Sequence, residues 1–233
     1  MQGGENRTSK IAIWLRQPPS KAARERTVDY RVLTIAREFG SGGASVARIL
    51  AKELGWKLLD RELIEQIAGA AQVDADLVSH HDECTKSMIE RMRHRAVRAG
   101  AAVSLGVVLK DPFNEKRMTE LSRHVVEQAH ANCHCVIVGR GAQCILRNQP
   151  DVFHVFVYAP LADRLRTLRA RLGIDAEAEL ERRAHSADTE RAYYLKRVYG
   201  ENWRDPLLYN MMVSSHEGDE RAARAILCAM TGQ

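Results

Sequence analysis

Aromatic side chains are scarce in this sequence, which limits the partners that it can bind. Phe, Trp and Tyr together make up only 6% of its 233 residues, and no basic stretch is interleaved with aromatic residues. Proteins that bind single-stranded nucleic acid need such rings for base stacking. A primary role in nucleic-acid binding is therefore not expected.

Long apolar runs and paired cysteines are missing as well. The longest apolar candidate, residues 99–109, is interrupted by glycine and serine and is much shorter than the roughly 20 residues of a membrane-spanning helix. The five cysteines form no CxxC pair, and a chain of this size can fold without disulfides. The first residues carry no apolar stretch followed by a cleavage site, as a signal peptide would. We therefore expect a cytoplasmic protein without a membrane segment.

Charges of both signs are abundant, with a small basic excess. The 35 basic residues outnumber the 30 acidic ones and give a net charge of +5. An excess of this size suits a partner that carries phosphate, although the charges are mixed along the chain rather than gathered in a basic tail. A mononucleotide satisfies this bias as well as a nucleic acid does.

The chain divides into a short polar start and a long remainder with regular patterns. Residues 1–29 are rich in Gly, Ser, Pro and Arg and predict a basic, flexible extension, unless the apolar segment 11–15 packs as an extra strand. Residues 30–233 are expected to form a single domain around one core. Within it, residues 74–110 predict a helical insertion, and residues 161–200 predict a basic lid.

Predicted strands and helices alternate after residue 30, which indicates an α/β fold with a parallel sheet covered by helices on both faces, in three layers. The strands are expected at 31–36, 56–59, 135–138, 152–158 and 211–214. The helices are expected at 44–54, 62–71, 115–131, 161–172, 177–199 and 217–230.

A glycine-rich loop joins the first predicted strand to the first predicted helix. Its three glycines let the backbone turn amide groups inward, and the helix N-terminus adds partial positive charge. The loop is therefore predicted to bind phosphate through Gly40, Ser41, Gly42, Gly43, Ala44 and Ser45. Two alternatives remain: a turn that only permits close packing, and a dinucleotide-binding loop, for which the GxGxxG pattern is incomplete.

The loop departs from the regular Walker A pattern, GxxxxGK[ST]. Gly43 takes the position of the lysine, Ala44 that of the magnesium-binding hydroxyl, and Arg37 that of the first glycine. Another cation must then reach the β- and γ-phosphates, and Arg37 is the nearest candidate. Ser41 or Ser45 can offer the hydroxyl.

Several blocks in one order resemble the bacterial cytidylate kinase-like family, over roughly residues 31–230. The blocks are 34–43, 50–55, 59–64, 136–142, the DxxRxxYY-like stretch 188–194, and 203–215. Loops of that family typically read REFGSGG or REYGSGG, so the missing lysine is a shared trait. The resemblance implies a P-loop NTPase-like fold of the nucleoside-monophosphate kinase kind, with ATP and Mg as cofactors.

Arg140 is the clearest candidate outside the loop. It follows a predicted strand and should emerge at the carboxyl edge of the sheet, where a guanidinium can hold phosphate through two parallel hydrogen bonds. The similar GRD stretch of true cytidylate kinases implies contact with the acceptor's phosphate, although its aspartate is Gly141 here. The alternative is a surface arginine paired with a neighbouring carboxylate.

Three further residues complete the predicted site. The resemblance implies that Asp188 and Arg191 contact the acceptor sugar and the phosphates, which places them with Arg37 and Arg140 as catalytic candidates. Asp60 ends a predicted strand at the same edge and could orient magnesium or an acceptor hydroxyl. A helix N-cap is the equal alternative for Asp60.

The expected function is an ATP-dependent phosphotransferase acting on a nucleoside monophosphate or a similar small acceptor. The alternative is a nucleotide-binding regulator that keeps the fold without turnover, since the lysine and the GRD aspartate are both absent. Magnesium is expected at Ser45 or Asp60. The expected partners are the nucleotide donor and the acceptor, with a homodimer as the candidate assembly.

Overall fold

Five parallel strands form the centre of the fold. The computed structural model describes residues 29–61, 63, 64 and 112–232, and its strands lie side by side in the order β2, β3, β1, β4, β5. β1 pairs with both β3 and β4, so its carboxyl end opens at the middle of the sheet edge. The strands are β1 (Val32–Arg37), β2 (Lys57–Leu59), β3 (Cys135–Val138), β4 (Val152–Tyr158) and β5 (Met211–Ser214).

Helices cover both faces of this sheet because successive side chains of a buried strand point to opposite sides. Val32 packs with Val125 on one face, whereas Leu33 packs with Leu50 and Ile226 on the other. The predicted α/β fold, with helices on both faces, is confirmed. The helices are α1 (Gly43–Leu54), α2 (Pro112–Asn132), α3 (Ala142–Ile145), α4 (Leu161–Leu172), α5 (Glu177–Tyr199) and α6 (Asp219–Thr231), with a 3-10 turn at Pro206–Leu208.

Most element boundaries follow the sequence pattern. The bounds of β3, β4, β5, α4 and α5 are those predicted. α2 begins three residues earlier than predicted, at Pro112, because proline fits the first turn of a helix, where its missing N–H is not needed. The predicted extension, the insertion and most of the helix predicted at 62–71 lie outside the described residues. None of the described helices is long and apolar enough to cross a membrane.

One buried histidine makes the stability of the core depend on pH. His154 on β4 is only 6% exposed, and its Nδ1 lies 2.7 Å from the hydroxyl of Thr34 on the neighbouring strand. Burial disfavours the charged imidazolium and lowers the pKa of His154 from 6.5 to about 4. The side chain is therefore neutral in the folded protein at physiological pH.

Acidification is expected to destabilise the fold through His154. The neutral side chain contributes fully above pH 6.5, and this contribution is lost as the pH falls towards 4, because only the unfolded chain binds the proton there. The loss amounts to about 3 kcal/mol in the free energy of unfolding. Urea unfolding between pH 7 and pH 4 should show a weaker pH dependence for His154→Gln. The exposed control His185→Gln should behave like the wild type, and an unchanged profile in His154→Gln would contradict a neutral buried histidine.

Candidate functional site

The loop between β1 and α1 presents backbone amides that an anion can use. Gly40 and Gly42 have φ angles of 86° and 74°, in the left-handed region that glycine adopts without strain. Within the described part of the chain, the amides of Gly42, Gly43 and Ala44 have no hydrogen-bond acceptor. They also begin α1, whose N-terminus carries partial positive charge. The loop therefore has the geometry that phosphate binding requires.

The two serines of the loop have different surroundings. Ser41 is buried, and the single proton of its hydroxyl is shared between the carbonyl oxygens of Glu38 at 3.0 Å and Val157 at 3.2 Å. These bonds hold the turn against β4, so the Ser41 hydroxyl is used inside the fold. Ser45 is half-buried in the first turn of α1. Of the two predicted hydroxyls, that of Ser45 is the better candidate for a bound ion.

Gly42 lies against the start of α6. A Cβ atom at this position would overlap the carboxylate of Asp219, and the φ of 74° strains any side chain. Gly42→Ala is therefore expected to lower the free energy of unfolding by about 2–3 kcal/mol, from backbone strain together with a smaller cost of turning the Asp219 side chain aside.

Urea unfolding measures this loss of stability, and Gly55 provides a matched control. It also has a positive φ, of 65°, but a Cβ there would meet open space. Gly55→Ala should cost only the backbone strain, about 1–2 kcal/mol. In an Asp219→Ala background, Gly42→Ala should cost no more than Gly55→Ala. Equal losses for both variants in the wild-type background would contradict the contact with Asp219.

Arg37 ends β1, and its side chain runs past two glycines. A Cβ built on Gly43 would lie 2.5 Å from the Cβ of Arg37 and 2.9 Å from its Cγ. A Cβ on Gly139, after β3, would overlap the Nη1 atom of Arg37. The stem of Arg37 thus crosses the first residue of α1, and its guanidinium rests on the turn that follows β3.

A cavity of about 510 Å³ opens beside the loop, where β1, β2 and β3 end. The carboxyl ends of parallel strands meet at one edge, so residues distant in sequence converge there. Its lining includes four arginines, three aromatic side chains and one carboxylate. These are Arg37, Arg61, Arg140, Arg191, Phe39, Tyr194, Trp203 and Glu190.

The charges of this cavity are close enough to affect one another. Burial lowers the pKa of Arg191, Asp188 opposes this change, and the like charges of Arg164 and Arg61 add to it. Arg140 holds a left-handed backbone conformation with φ of 55°, which is uncommon for a residue with a side chain and is often found at ligand sites. The arrangement is suited to a small anion.

Asp188 ties α5 to the glycine loop. Its buried carboxylate accepts a hydrogen bond from the amide of Phe39 at 2.8 Å and pairs with Arg164 at 2.5 Å and Arg191 at 3.0 Å. Arg164 also donates to the carbonyl oxygen of Phe39 at 2.8 Å and lies 3.3 Å from a carboxylate oxygen of Glu38. Asp188 and Arg191 therefore lie beside the loop, while the predicted contact of Asp188 with an acceptor sugar stays a prediction.

Asp60 caps a helix. Its carboxylate accepts a hydrogen bond from the amide of Leu63 at 2.9 Å, which is the N-cap geometry weighed as the alternative for this residue. A role in binding magnesium or the acceptor stays a prediction.

In the described part of the chain, no three His, Cys, Asp or Glu side chains are grouped to hold a metal ion. Cys133 takes part in a disulfide, a pairing that the cysteine spacing did not predict.

Several charged residues of the site were not singled out from the sequence, among them Arg61, Asp219 and Arg164. Arg61 directly follows Asp60 at the same sheet edge, and Asp219 opens the last helix after a glycine. Arg164 lies in α4 on the same stripe as the buried Leu165 and Leu168. A basic residue on the apolar face of a helix is a usable signal, because a charge in such a place needs a partner.

The comparison with known families decides the classification. Residues 32–217 match the sequence pattern of the Cytidylate kinase-like family. The protein belongs to this family. The resemblance seen in the sequence is therefore confirmed over most of the chain. No curated protein matches it individually.

Three solved structures are similar to this cytidylate kinase-like protein to different degrees. A structure of an uncharacterized protein from Eubacterium ventriosum ATCC 27560 has a TM-score of 0.63 at 18% identity and covers 87% of this chain and 99% of that chain. Shikimate kinase from Acinetobacter baumannii, in complex with shikimate, has a TM-score of 0.46 at 15% identity, with coverages of 88% and 95%. Shikimate kinase from Bacteroides thetaiotaomicron has a TM-score of 0.44 at 14% identity, with coverages of 84% and 95%. The first of these structures shares the fold, and at 18% identity the likeness concerns the fold alone.

One departure of this cytidylate kinase-like protein from true cytidylate kinases has a steric basis. Gly141 stands where the GRD stretch has its aspartate, and its φ is 70°. A Cβ at this position would overlap the ring of Tyr199, whose hydroxyl donates to the carbonyl oxygen of Arg140 at 3.4 Å. Tyr199 thus occupies the space of an aspartate side chain and contacts the backbone of Arg140.

Proposed function

We propose that this protein is an ATP-dependent phosphotransferase whose acceptor is a nucleoside monophosphate, cytidylate-like, or a similar small phosphorylated molecule. Its membership in a kinase-like family supports a phosphotransferase of small substrates. The observation that carries the proposal is the position of the glycine loop directly beside an arginine-lined cavity. The loop amides suit the phosphates of a donor nucleotide, and the cavity suits the phosphate of an acceptor.

The site can transfer a phosphoryl group without a protein nucleophile. An oxygen of the acceptor's phosphate attacks the γ-phosphorus of ATP, the bond to the bridging oxygen breaks, and ADP leaves. Such transfer depends on alignment and on neutralising the charge that spreads over the phosphoryl oxygens. Arg140 and Arg191 supply planar guanidinium groups that hold phosphate oxygens in pairs.

Magnesium, when bound with ATP, neutralises charge on the β- and γ-phosphates. This ion prefers oxygen donors and usually takes only one or two from the protein. Ser45 and Asp60 are the candidate donors of this chain, and each offers the oxygen atoms that this preference requires. Ser45 is favoured, since the carboxylate of Asp60 already caps a helix.

A second candidate function is a nucleotide-binding regulator with weak or no catalytic activity. Gly43 leaves the first turn of α1 without a cation, and the Ser41 hydroxyl bonds to two carbonyl oxygens. The Asp188 carboxylate is likewise paired within the protein. Such a protein would bind nucleotide through the loop amides and would report the bound state to a partner.

One coupled measurement separates the two candidates. The purified protein is incubated with magnesium-ATP and a panel of nucleoside monophosphates, and both ADP formation and the nucleotide-dependent shift in unfolding temperature are recorded. The proposal expects ADP formation with at least one acceptor, together with a shift. A shift without ADP across the panel would favour the regulator. No response of either kind would refute both candidates.

A further inference from the structure

The first residue of α1 is a glycine for a reason that the helix itself does not provide. Gly43 does not have a positive φ angle, so its backbone conformation is open to any amino acid. Alanine would also favour a helix over glycine. The obstacle is the side chain of Arg37, whose Cβ would lie 2.5 Å from a Cβ on Gly43. Because a Cβ atom has no rotamer freedom, this overlap can be relieved only by moving the backbone.

The same arginine explains a second glycine. The stem of Arg37 crosses Gly43, and its guanidinium rests on Gly139, where a Cβ would overlap Nη1. The backbone around Arg37 is held from two sides, since Arg191 donates to the carbonyl oxygen of Arg37 at 3.2 Å and the amide of Glu38 bonds to Val157 at 3.0 Å. The direction of the side chain is therefore set by the fold.

We infer that Arg37 and Gly43 form a reciprocal exchange: they stand where the regular Walker A pattern has a glycine and a lysine, respectively. This exchange moves one cation of the site from the first turn of α1 to the acceptor cavity. A lysine at position 43 and an arginine at position 37 compete for the same space, so the chain holds one of them. The cation that it keeps lines the cavity together with Arg140. Arg37 therefore binds the acceptor's anionic group, whereas donor phosphates are held by the loop amides.

This placement defines the class of acceptor. Three further arginines, Arg61, Arg140 and Arg191, line the same cavity as Arg37, and Arg191 also pairs with Asp188 beside it. A phosphate monoester can accept hydrogen bonds from several guanidinium groups at once, whereas a neutral nucleoside or sugar has no anionic group for them to hold. The ligand part of the inference rests on the proposed function, but the exchange of Arg37 and Gly43 is a structural claim that stands by itself.

A cycle of stability measurements tests the exchange without any ligand. Gly43→Ala is expected to lower the midpoint of thermal unfolding by more than about 3 °C in the wild type, because of the overlap with Arg37. In an Arg37→Gly background the same substitution should raise the midpoint, because alanine favours the helix. Gly55→Ala, which meets open space, should have the same effect in both backgrounds. An equal effect of Gly43→Ala in both backgrounds would overturn the exchange.

Calorimetric binding to the full-length protein tests the role of the cation. Arg37→Gln is expected to raise the Kd of cytidine monophosphate at least tenfold and to leave the Kd of magnesium-ATP within twofold of the wild-type value. Cytidine, which lacks the phosphate, should bind the wild type and Arg37→Gln equally weakly. The double variant Arg37→Gly/Gly43→Lys, with the cation at the regular Walker position, should bind magnesium-ATP at least as tightly as the wild type and cytidine monophosphate at least tenfold more weakly.

The possible failures are distinguishable. If Arg37→Gln raises the Kd of magnesium-ATP and leaves that of cytidine monophosphate unchanged, Arg37 binds the donor nucleotide. The inference is then overturned, while the proposed function stands. If the folded wild type binds neither ligand, the proposed function and the ligand part of the inference both fail. The stability cycle then still decides whether Arg37 requires Gly43.

Discussion

Replacing Arg140 with glutamine is expected to lower kcat/KM for the acceptor by about 100- to 1000-fold, the usual loss when one charged donor is removed from a reacting oxyanion. Arg140 follows β3 at the sheet edge and lines the cavity beside the loop. Glutamine keeps an unbranched stem, so the strain of the left-handed backbone changes little, but the charge and the guanidinium fork are lost. Steady-state kinetics with a fixed excess of magnesium-ATP provides the measurement.

Two further variants identify the cause of that loss. Arg140→Lys keeps the charge without the fork and should fall between the wild type and Arg140→Gln. Arg147→Gln changes an exposed arginine that pairs with Glu201 at 2.5 Å, and it should behave like the wild type. The Kd of magnesium-ATP should stay within twofold in all three variants. Unchanged acceptor kinetics in Arg140→Gln would show that Arg140 is only a surface residue.

Replacing Asp188 with alanine is expected to destabilise the fold strongly. It removes the carboxylate that pairs with Arg164 at 2.5 Å, and both side chains are less than 10% exposed. A buried charge that loses its partner costs about 3–5 kcal/mol, and the lower end applies here because Glu38 still lies near Arg164. Urea unfolding measures this loss, and the nucleotide-dependent thermal shift should shrink because the amide of Phe39 loses its acceptor.

A second carboxylate of the same helix, which pairs with exposed arginines, serves as the control. Glu179 pairs with Arg182 and Arg183 one turn further along α5, and these arginines are well exposed. Glu179→Ala should therefore cost less than about 1 kcal/mol. If Asp188→Ala and Glu179→Ala destabilise the protein equally, the contacts of Asp188 do not anchor the loop.

The sequence predicts those features that depend on neighbouring residues. The β-branched runs of β1, β3 and β4 and the helical spacing of α4 and α5 are local patterns, and they place these elements within one residue. The glycine-rich turn is also a local pattern, and Gly40 and Gly42 adopt the left-handed conformation in it. The order of the strands then brings their carboxyl ends together at one edge.

The direction of side chains could not be predicted in the same way. Arg37 lies on Gly139, about 100 residues further along the chain, and this contact depends on the pairing of β1 with β3. The partners of Asp188 come from α4 and from the loop. The sequence therefore indicated candidate residues such as Arg37, Arg140 and Arg191, which line one cavity, but it did not show which residues bind one another.

Transfer of a labelled γ-phosphoryl group is the most direct test of the central claim. The protein is incubated with magnesium and ATP that carries ³²P in the γ-phosphate, together with cytidine monophosphate, and the products are separated by chromatography. Label is expected in the nucleoside diphosphate, with at least a hundredfold less in Arg140→Gln. Label that stays in ATP or appears only as inorganic phosphate, with each nucleoside monophosphate in turn, would contradict this claim.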